Sequence, residues 1–276
     1  MPEKAPNESI DLPAYLHRIG IRTPVAPDLQ TLRAIVLAHV AAIPFENLDP
    51  FLGVTPTLDI ASVQRKLVRG GRGGYCFEHN RLLSDALRAI GFHVTDLAAR
   101  VLWGQSEDAL TARSHMLLRV EIDGHAWIAD VGFGGATPTG PLRLEEKIEQ
   151  TTPHETCRLL SREQTWYLQV RIDGHWQPVY RFDLQPQFPI DYMVSNYWLS
   201  TRAESHFVAS LVAARAPAGR RLALRNRQFT EHAIDGGTTK RTLADAAEIR
   251  GVLRNEFLIR LPEHPDLDAR LARLPS

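Results

Sequence analysis

The hydrophobic period changes near residue 92, and that change limits the chain to an α+β architecture. Before it, apolar residues recur at helical spacing; after it, they alternate along short β-branched and aromatic runs. In PDLQTLRAIVLAHVAAI (27–43), Leu29, Leu32, Ile35, Val36, Val40 and Ile43 fall near one helical face. LDIASVQRKLVRGG (58–71) starts after Asp59 and stops at glycine, as a short capped helix does. FEHNRLLSDALRAIG (77–91) sets Phe77, Leu83, Leu87 and Ile90 on related faces and ends at the C-cap residue Gly91. Cys76 then sits at the first turn of a helix. From residue 92, the runs HVTDLAARVLW, HMLLRVEI, HAWIADVGF, WYLQVRI and HWQPVYRFDL read as strands separated by turns. They predict a small antiparallel barrel or sandwich through about residue 195. Beyond it, YWLSTRAESHFVASLVAAR reads mainly as helix, RRLALRNRQFTEHAIDGGTTKRTL as strands and ADAAEIRGVLRNEF as helix. No low-complexity linker separates these parts, so 1–91, 92–195 and 196–276 are expected to pack as one body.

Charge and cysteine usage narrow the function. Thirty-two basic residues balance 32 acidic ones, so no net field favours nucleic acid or anionic lipid. The longest apolar run, AIVLAHVAAIPF (34–45), is interrupted by His39 and Pro44 and is too short to span a bilayer. MPEKAPNESIDL lacks the basic and apolar regions of a secretory signal. Two cysteines in 276 residues do not make a disulfide framework, which points to free thiols in a reducing cytoplasm. Oligomeric state is not readable, and a homo-oligomer is compatible with the sequence.

A local repeat singles out a histidine–carboxylate pair. VEIDGHAWIAD (120–130) and VRIDGHWQPVY (170–180) share an Asp-Gly hairpin turn. A two-residue turn at Asp123-Gly124 puts Ile122 opposite His125 and Leu117 opposite Asp130. Side chains alternate faces along a strand, so His115 shares a face with Asp130 and lies on its diagonal, while His125 points the other way. Asp130 in the apolar run AWIADVGFGG needs such a partner, because an unpaired buried carboxylate is costly.

The third group is Cys76, in RGGRGGYCFEHN (69–80). This stretch is no phosphate loop, because no Gly-Lys-Ser/Thr follows, and a single RGG pair is no nucleic-acid tract. Cys76 and His79 alone do not make a zinc site, so no metal is expected. A helix start favours a thiolate, an adjacent imidazolium adds to that, and the glycines admit close approach and offer N–H groups to an oxyanion. Cys, His and Asp in these settings form a nucleophile, base and orienter.

RGGRGGYCFEHN resembles the nucleophile segment R-G-G-x-C-x-E-x-N of the arylamine N-acetyltransferases. Cys76 and His115 are 39 residues apart, and His115 and Asp130 are 15 apart, as in that family. IPFENLDP (43–50), SHMLLRV (114–120), DVGFGG (130–135), YRFDLQPQ (180–187) and NYWLSTRAESHF (196–207) extend the match, and the length fits a bacterial member. The resemblance implies a helical bundle, a β-barrel and an α/β lid, the first two forming a papain-like core. It implies a Cys76–His115–Asp130 triad that takes an acetyl group from acetyl-CoA, a co-substrate, and passes it to an aromatic amine, hydrazine or hydroxylamine, with no permanently bound cofactor. It places Ser114, Phe133 and Gly134 near the CoA arm, Phe45, Phe133 and Phe207 around the aryl group, and a Glu46–Arg72 ion pair beside the site. The residues leave three rivals open: a cysteine peptidase or transglutaminase-like enzyme on the same core, a non-catalytic barrel with a buried thiol, and an amide synthase of the same family.

Overall fold

The computed structural model describes residues 9–234 and 236–275. Most of the N-terminal stretch read above as no secretory signal lies outside them. The N-terminal part holds α1 (Leu12–Arg18), α2 (Leu29–Ala42), the two-residue strand β1 (Phe45–Glu46) and α3 (Leu48–Phe51). It continues with α4 (Ile60–Val63), a π-helical turn over Gln64–Arg69, and α5 (Cys76–Ile90). Aspartates start several of these helices: Asp28 Oδ1 accepts from the Thr31 N–H at 2.7 Å and Asp59 Oδ1 from the Ser62 N–H at 2.8 Å. Gly91 closes α5 at φ 110°, in the conformation its sequence position predicts.

The middle of the chain is an antiparallel sheet of eight strands among the described residues. These are β2 (His93–Val101), β3 (Arg113–Ile122), β4 (His125–Ala129), β5 (Leu142–Arg143), β6 (Glu149–Thr151), β7 (Thr156–Arg162), β8 (Thr165–Ile172) and β9 (His175–Phe182). The order β5-β4-β3-β2-β9-β8-β7-β6 nearly closes into a barrel. At the remaining gap, the Gln150 side-chain amide imitates a ladder step: Arg143 N–H donates to its Oε1 at 2.7 Å, and its Nε2 donates to Arg143 O at 2.9 Å. Both Asp-Gly turns have positive φ at each residue, 49° and 74° at Asp123-Gly124 and 48° and 79° at Asp173-Gly174. That is the type I′ geometry that matches strand twist. The resulting register pairs Ile122 with His125 and Leu118 with Ala129, as the turn predicts.

Alternation then splits the barrel's two faces. Leu97, Leu117, Ile128, Cys157, Leu168 and Tyr180 fill the interior, while Met116, Leu118, Val120, Trp127 and Ala129 pack against α2 and α5 residues in a second core. His115 and Asp130 have interior parity.

The C-terminal part contains α6 (Pro189–Thr201), α7 (His206–Ala209), β10 (Val212–Arg215), β11 (Arg220–Arg225), β12 (Gln228–Ala233), β13 (Thr238–Thr242), α8 (Ala246–Asn255) and α9 (Leu267–Ala272). The sheet order β1-β10-β11-β12-β13 ties it to the N-terminal part through Phe45↔Ala214 and Glu46↔Ala213. Here the structure corrects the sequence reading: residues 212–215 are strand, not helix. The Asn47 side chain explains this. Its Oδ1 accepts from the Val212 N–H at 2.7 Å and its Nδ2 donates to the carbonyls of Ser210 and Phe207, so these groups are taken out of any helix. Strand β7, which the sequence reading passed over, completes the barrel between β6 and β8.

Candidate active site

Helix α5 begins at Cys76 because Glu78 reaches back, its Oε2 accepting from the Tyr75 N–H at 3.1 Å. Tyr75 is buried and donates its hydroxyl to Asn196 on α6, which fixes the turn before the thiol. The Cys76 Sγ lies 3.6 Å from the carbonyl oxygen of Ser114. That carbonyl is available because β2 and β3 slip register there: Ala99 faces His115 and Arg100 faces Arg113, leaving Ser114 as an extra residue. A bulge of this kind bends a strand and re-aims its neighbour. Here the neighbour is His115.

His115 Nε2 lies 2.7 Å from Asp130 Oδ2, with both side chains buried. Its other nitrogen, Nδ1, is left for Cys76. Burial by itself would make His115 harder to protonate; the Asp130 charge and hydrogen bond, assisted by Cys76, outweigh it and raise the pKa to about 10. Burial likewise resists ionisation of Asp130, and the His115 charge, the Asn80 amide and the Gly132 N–H reverse it, so the carboxyl stays below its usual range. Asp130 Oδ1 accepts from Asn80 Nδ2 at 2.9 Å and from Gly132 N–H at 2.8 Å. Asn80 also donates to Met116 O at 2.6 Å and accepts from Val131 N–H at 3.1 Å, stitching α5 to β3 and the end of β4.

Two of the glycines have a steric reason. A Cβ on Gly73 would stand 1.8 Å from Pro44 O, and one on Gly132 would stand 2.7 Å from the Cα of Cys76. The glycine-rich approach to Cys76 thus serves backbone packing against 44–46, where Gly74 O accepts from Glu46 N–H at 2.8 Å.

The predicted partners Glu46 and Arg72 meet at 2.8 Å, within a larger buried network. Arg72 also pairs with Asp49 at 2.7 Å, and Lys66 bridges Asp49 at 2.7 Å and Glu78 at 2.8 Å. Burial opposes the charge on Glu46, but Arg72 and Lys66 overcome it and hold its carboxyl below the usual range. Arg72→Met would leave Glu46 buried without its main partner and is expected to cost about 3–5 kcal/mol of stability. Urea unfolding of the two proteins measures this, and a loss under 1 kcal/mol would mean that the pair behaves as a surface bridge.

The remaining sequence-predicted residues cluster around the thiol and imidazole. The Phe133 ring lies 5.2 Å from that of His115, edge to face. A Cβ on Gly134 would touch the Phe45 ring at 3.4 Å, and Phe45 lies 6.0 Å from Phe207, which packs 5.5 Å from Tyr75. Ser114 is the bulged residue already described. The sequence reading assigned no role to Asn80 or Tyr180. Asn80 follows Cys76 by one helical turn, which was a usable signal. Tyr180, a barrel-interior residue 5.1 Å from the His115 ring, had none beyond occupying the position in the second hairpin repeat that Asp130 occupies in the first.

The N-acetyltransferase family model matches residues 28–265. An arylamine N-acetyltransferase of Escherichia coli is 43% identical over 244 residues, covering 88% of this chain and 86% of that protein. One from Mycolicibacterium smegmatis is 41% identical over 273 residues, covering 96% and 98%. The solved structure of Mycobacterium marinum arylamine N-acetyltransferase in complex with CoA superposes with a TM-score of 0.92 at 39% identity, over 96% of this chain and 100% of that one. The fold is the papain-like α+β arrangement that the family resemblance implies, and the similarity speaks for an acyltransferase over a peptidase on the same core. This chain belongs to the arylamine N-acetyltransferase family.

Proposed function

We propose that the protein moves an acetyl group from acetyl-CoA to an arylamine, hydrazine or hydroxylamine by a ping-pong route through acetyl-Cys76. The observation that carries this reading is the position of His115, hydrogen-bonded to Asp130 at 2.7 Å and held cationic beside Cys76. In the first half-reaction the Cys76 thiolate attacks the thioester carbonyl. CoA leaves as a thiolate and takes the proton of the His115 imidazolium. In the second, the amine attacks acetyl-Cys76, His115 accepts its proton, and the Cys76 thiolate departs with the imidazolium restored.

Acetylation also retunes the base. Cys76 is one of the groups that raise the His115 pKa, and that contribution ends once its sulfur is a neutral thioester. His115 therefore yields its proton more readily at the stage when a base is required. Asp130 stays ionised and keeps Nε2 protonated throughout.

In this reading Ser114, Phe133 and Gly134 lie along the acetyl-CoA arm, and Phe45, Phe133 and Phe207 receive the aryl ring. Residues 1–91 supply the nucleophile, 92–195 the base and its carboxylate, and 196–276 cover the site. The two buried free cysteines fit a reducing, cytoplasmic setting, and among the described residues no helix is long and apolar enough to cross a membrane.

Initial rates with acetyl-CoA and a panel of arylamines, hydrazines and alkylamines test the proposal. Parallel double-reciprocal lines and preference for the aromatic and hydrazine acceptors are expected. Intersecting lines would remove the acetyl-enzyme, and turnover confined to an intramolecular acceptor would mark an amide synthase.

A further inference from the structure

The Cys76-x-x-His79 spacing lends the mechanism its cysteine only, yet His79 ends a buried hydrogen-bond chain. Tyr15 on α1, His39 on α2 and His79 on α5 are each 0% exposed. The Tyr15 hydroxyl lies 2.9 Å from His39 Nδ1, His39 Nε2 lies 2.9 Å from His79 Nδ1, and His79 Nε2 lies 3.1 Å from Pro44 O. The last contact fixes the direction of all three. A carbonyl oxygen only accepts, so His79 carries its proton on Nε2 and leaves Nδ1 bare. His39 must then donate from Nε2 and accept at Nδ1, where the Tyr15 hydroxyl donates. Burial is the main cause that keeps both imidazoles neutral, with His79 lowered to about 4, so each has one proton to place.

We infer that His79 is a positioning residue for the aryl acceptor: it holds the Pro44 carbonyl and the Phe45 ring, while His39 and Tyr15 keep it in the one tautomer able to do so. The inference rests on Phe45 being part of the aryl pocket. The Pro44 carbonyl belongs to the planar peptide unit that ends at the Phe45 N and Cα, so fixing its oxygen fixes where the Phe45 side chain begins. The His79 ring also lies nearly parallel to that of Phe45, with 6.3 Å between centroids and 16° between planes. From there Phe45 faces Phe207 and Gly134. The same oxygen is closed in from another side, where no Cβ fits on Gly73. An apolar side chain at 79 would fill the space without desolvating an imidazole, but it would leave Pro44 O without this donor. The chain thus ties α1, α2 and α5 to one ring of the acceptor pocket, and none of its hydrogen bonds reaches His115 or Asp130.

Two substitutions separate positioning from packing, because they satisfy opposite ends of His79. In His79→Gln the amide reaches the place of Nε2 and can donate to Pro44 O. In His79→Asn it reaches the place of Nδ1 and can only accept from His39. Each variant loses one buried hydrogen bond, so their thermal midpoints should fall alike. The acceptor KM is expected to stay within about threefold of wild type in His79→Gln and to rise about tenfold or more in His79→Asn. The rate of acetyl-Cys76 formation from acetyl-CoA should match wild type in both. Equal acceptor KM values in the two variants would overturn the inference, and so would a loss shared equally by the acetylation step. Nitrogen-15 spectra of the wild-type imidazoles test it without relying on any variant to fold. His39 and His79 are expected to be neutral with Nε2 protonated, and a charged ring or an Nδ1–H tautomer at neutral pH would overturn it. Phe45→Leu tests the pocket separately and should raise the acceptor KM. If it does not, the aryl-pocket reading is at fault; if it does while the Gln and Asn variants agree, the role of His79 is.

Discussion

Replacing Cys76 by alanine is expected to lower acetyl transfer by about 10⁴-fold or more, with the fold intact. Cys76 packs within the main buried cluster, and deleting its single sulfur atom is expected to cost about 1 kcal/mol of stability, too little to unfold the chain. Cys157→Ala is the matched control. Cys157 is inside the barrel at 2% exposure, and burial, then Glu155, pushes its thiol up to about 12, so it is an unreactive thiol at physiological pH. Its alanine variant should retain most activity. Steady-state rates on the two variants decide this. A dead Cys157→Ala beside an active Cys76→Ala would displace the nucleophile from α5 altogether.

Asp130→Asn is expected to have the second largest effect, about 10⁴-fold, for a reason visible in its hydrogen bonds. Oδ1 receives two N–H groups, from Asn80 and Gly132, so an amide placed there must keep its oxygen at that site. Its NH₂ then faces His115 Nε2 and forces that nitrogen to accept. The imidazole proton moves to Nδ1, the nitrogen facing Cys76, and the base is lost without moving an atom. His115→Gln removes the cation itself and should slow iodoacetamide alkylation of Cys76 at neutral pH by about tenfold or more. His125→Gln should not, because His125 lies on the other face of the hairpin, beside Arg143 at 3.2 Å.

The same pair sets a pH dependence of stability. The folded pKa of His115, about 10, is above its unfolded value of about 6.5. Its contribution is complete below about 6.5 and is lost as pH rises through about 10. The urea midpoint of the wild type should therefore fall more between these limits than that of His115→Gln. Equal falls would place the raised pKa elsewhere.

Strands β2, β3, β4, β8 and β9, the hairpin register and the meeting of His115 with Asp130 were legible because local rules settle them. An Asp-Gly turn fixes pairing, pairing fixes parity, and parity selects His115 over His125. The place of Cys76 at a helix start was equally local, set by glycines before it and Gly91 after α5. What escaped the sequence depends on distant residues. Strand β10 is held out of a helix by Asn47, which precedes it by 165 positions. Lys66, Asp49 and Glu78 each look like surface charges in the chain and become a buried network only when the π-helical turn is laid beside α5. The bulge at Ser114 leaves no mark in the alternation, yet it frees the carbonyl that meets Cys76.

The acetyl-enzyme can be tested directly by incubating the protein with acetyl-CoA and no acceptor, then measuring intact mass and mapping peptides. The account predicts a gain of one acetyl group on the peptide containing Cys76 in the wild type and in Cys157→Ala, none in Cys76→Ala, and its disappearance when an arylamine is added. An unmodified Cys76, or an acetyl group that stays on the protein after the acceptor is supplied, would contradict it.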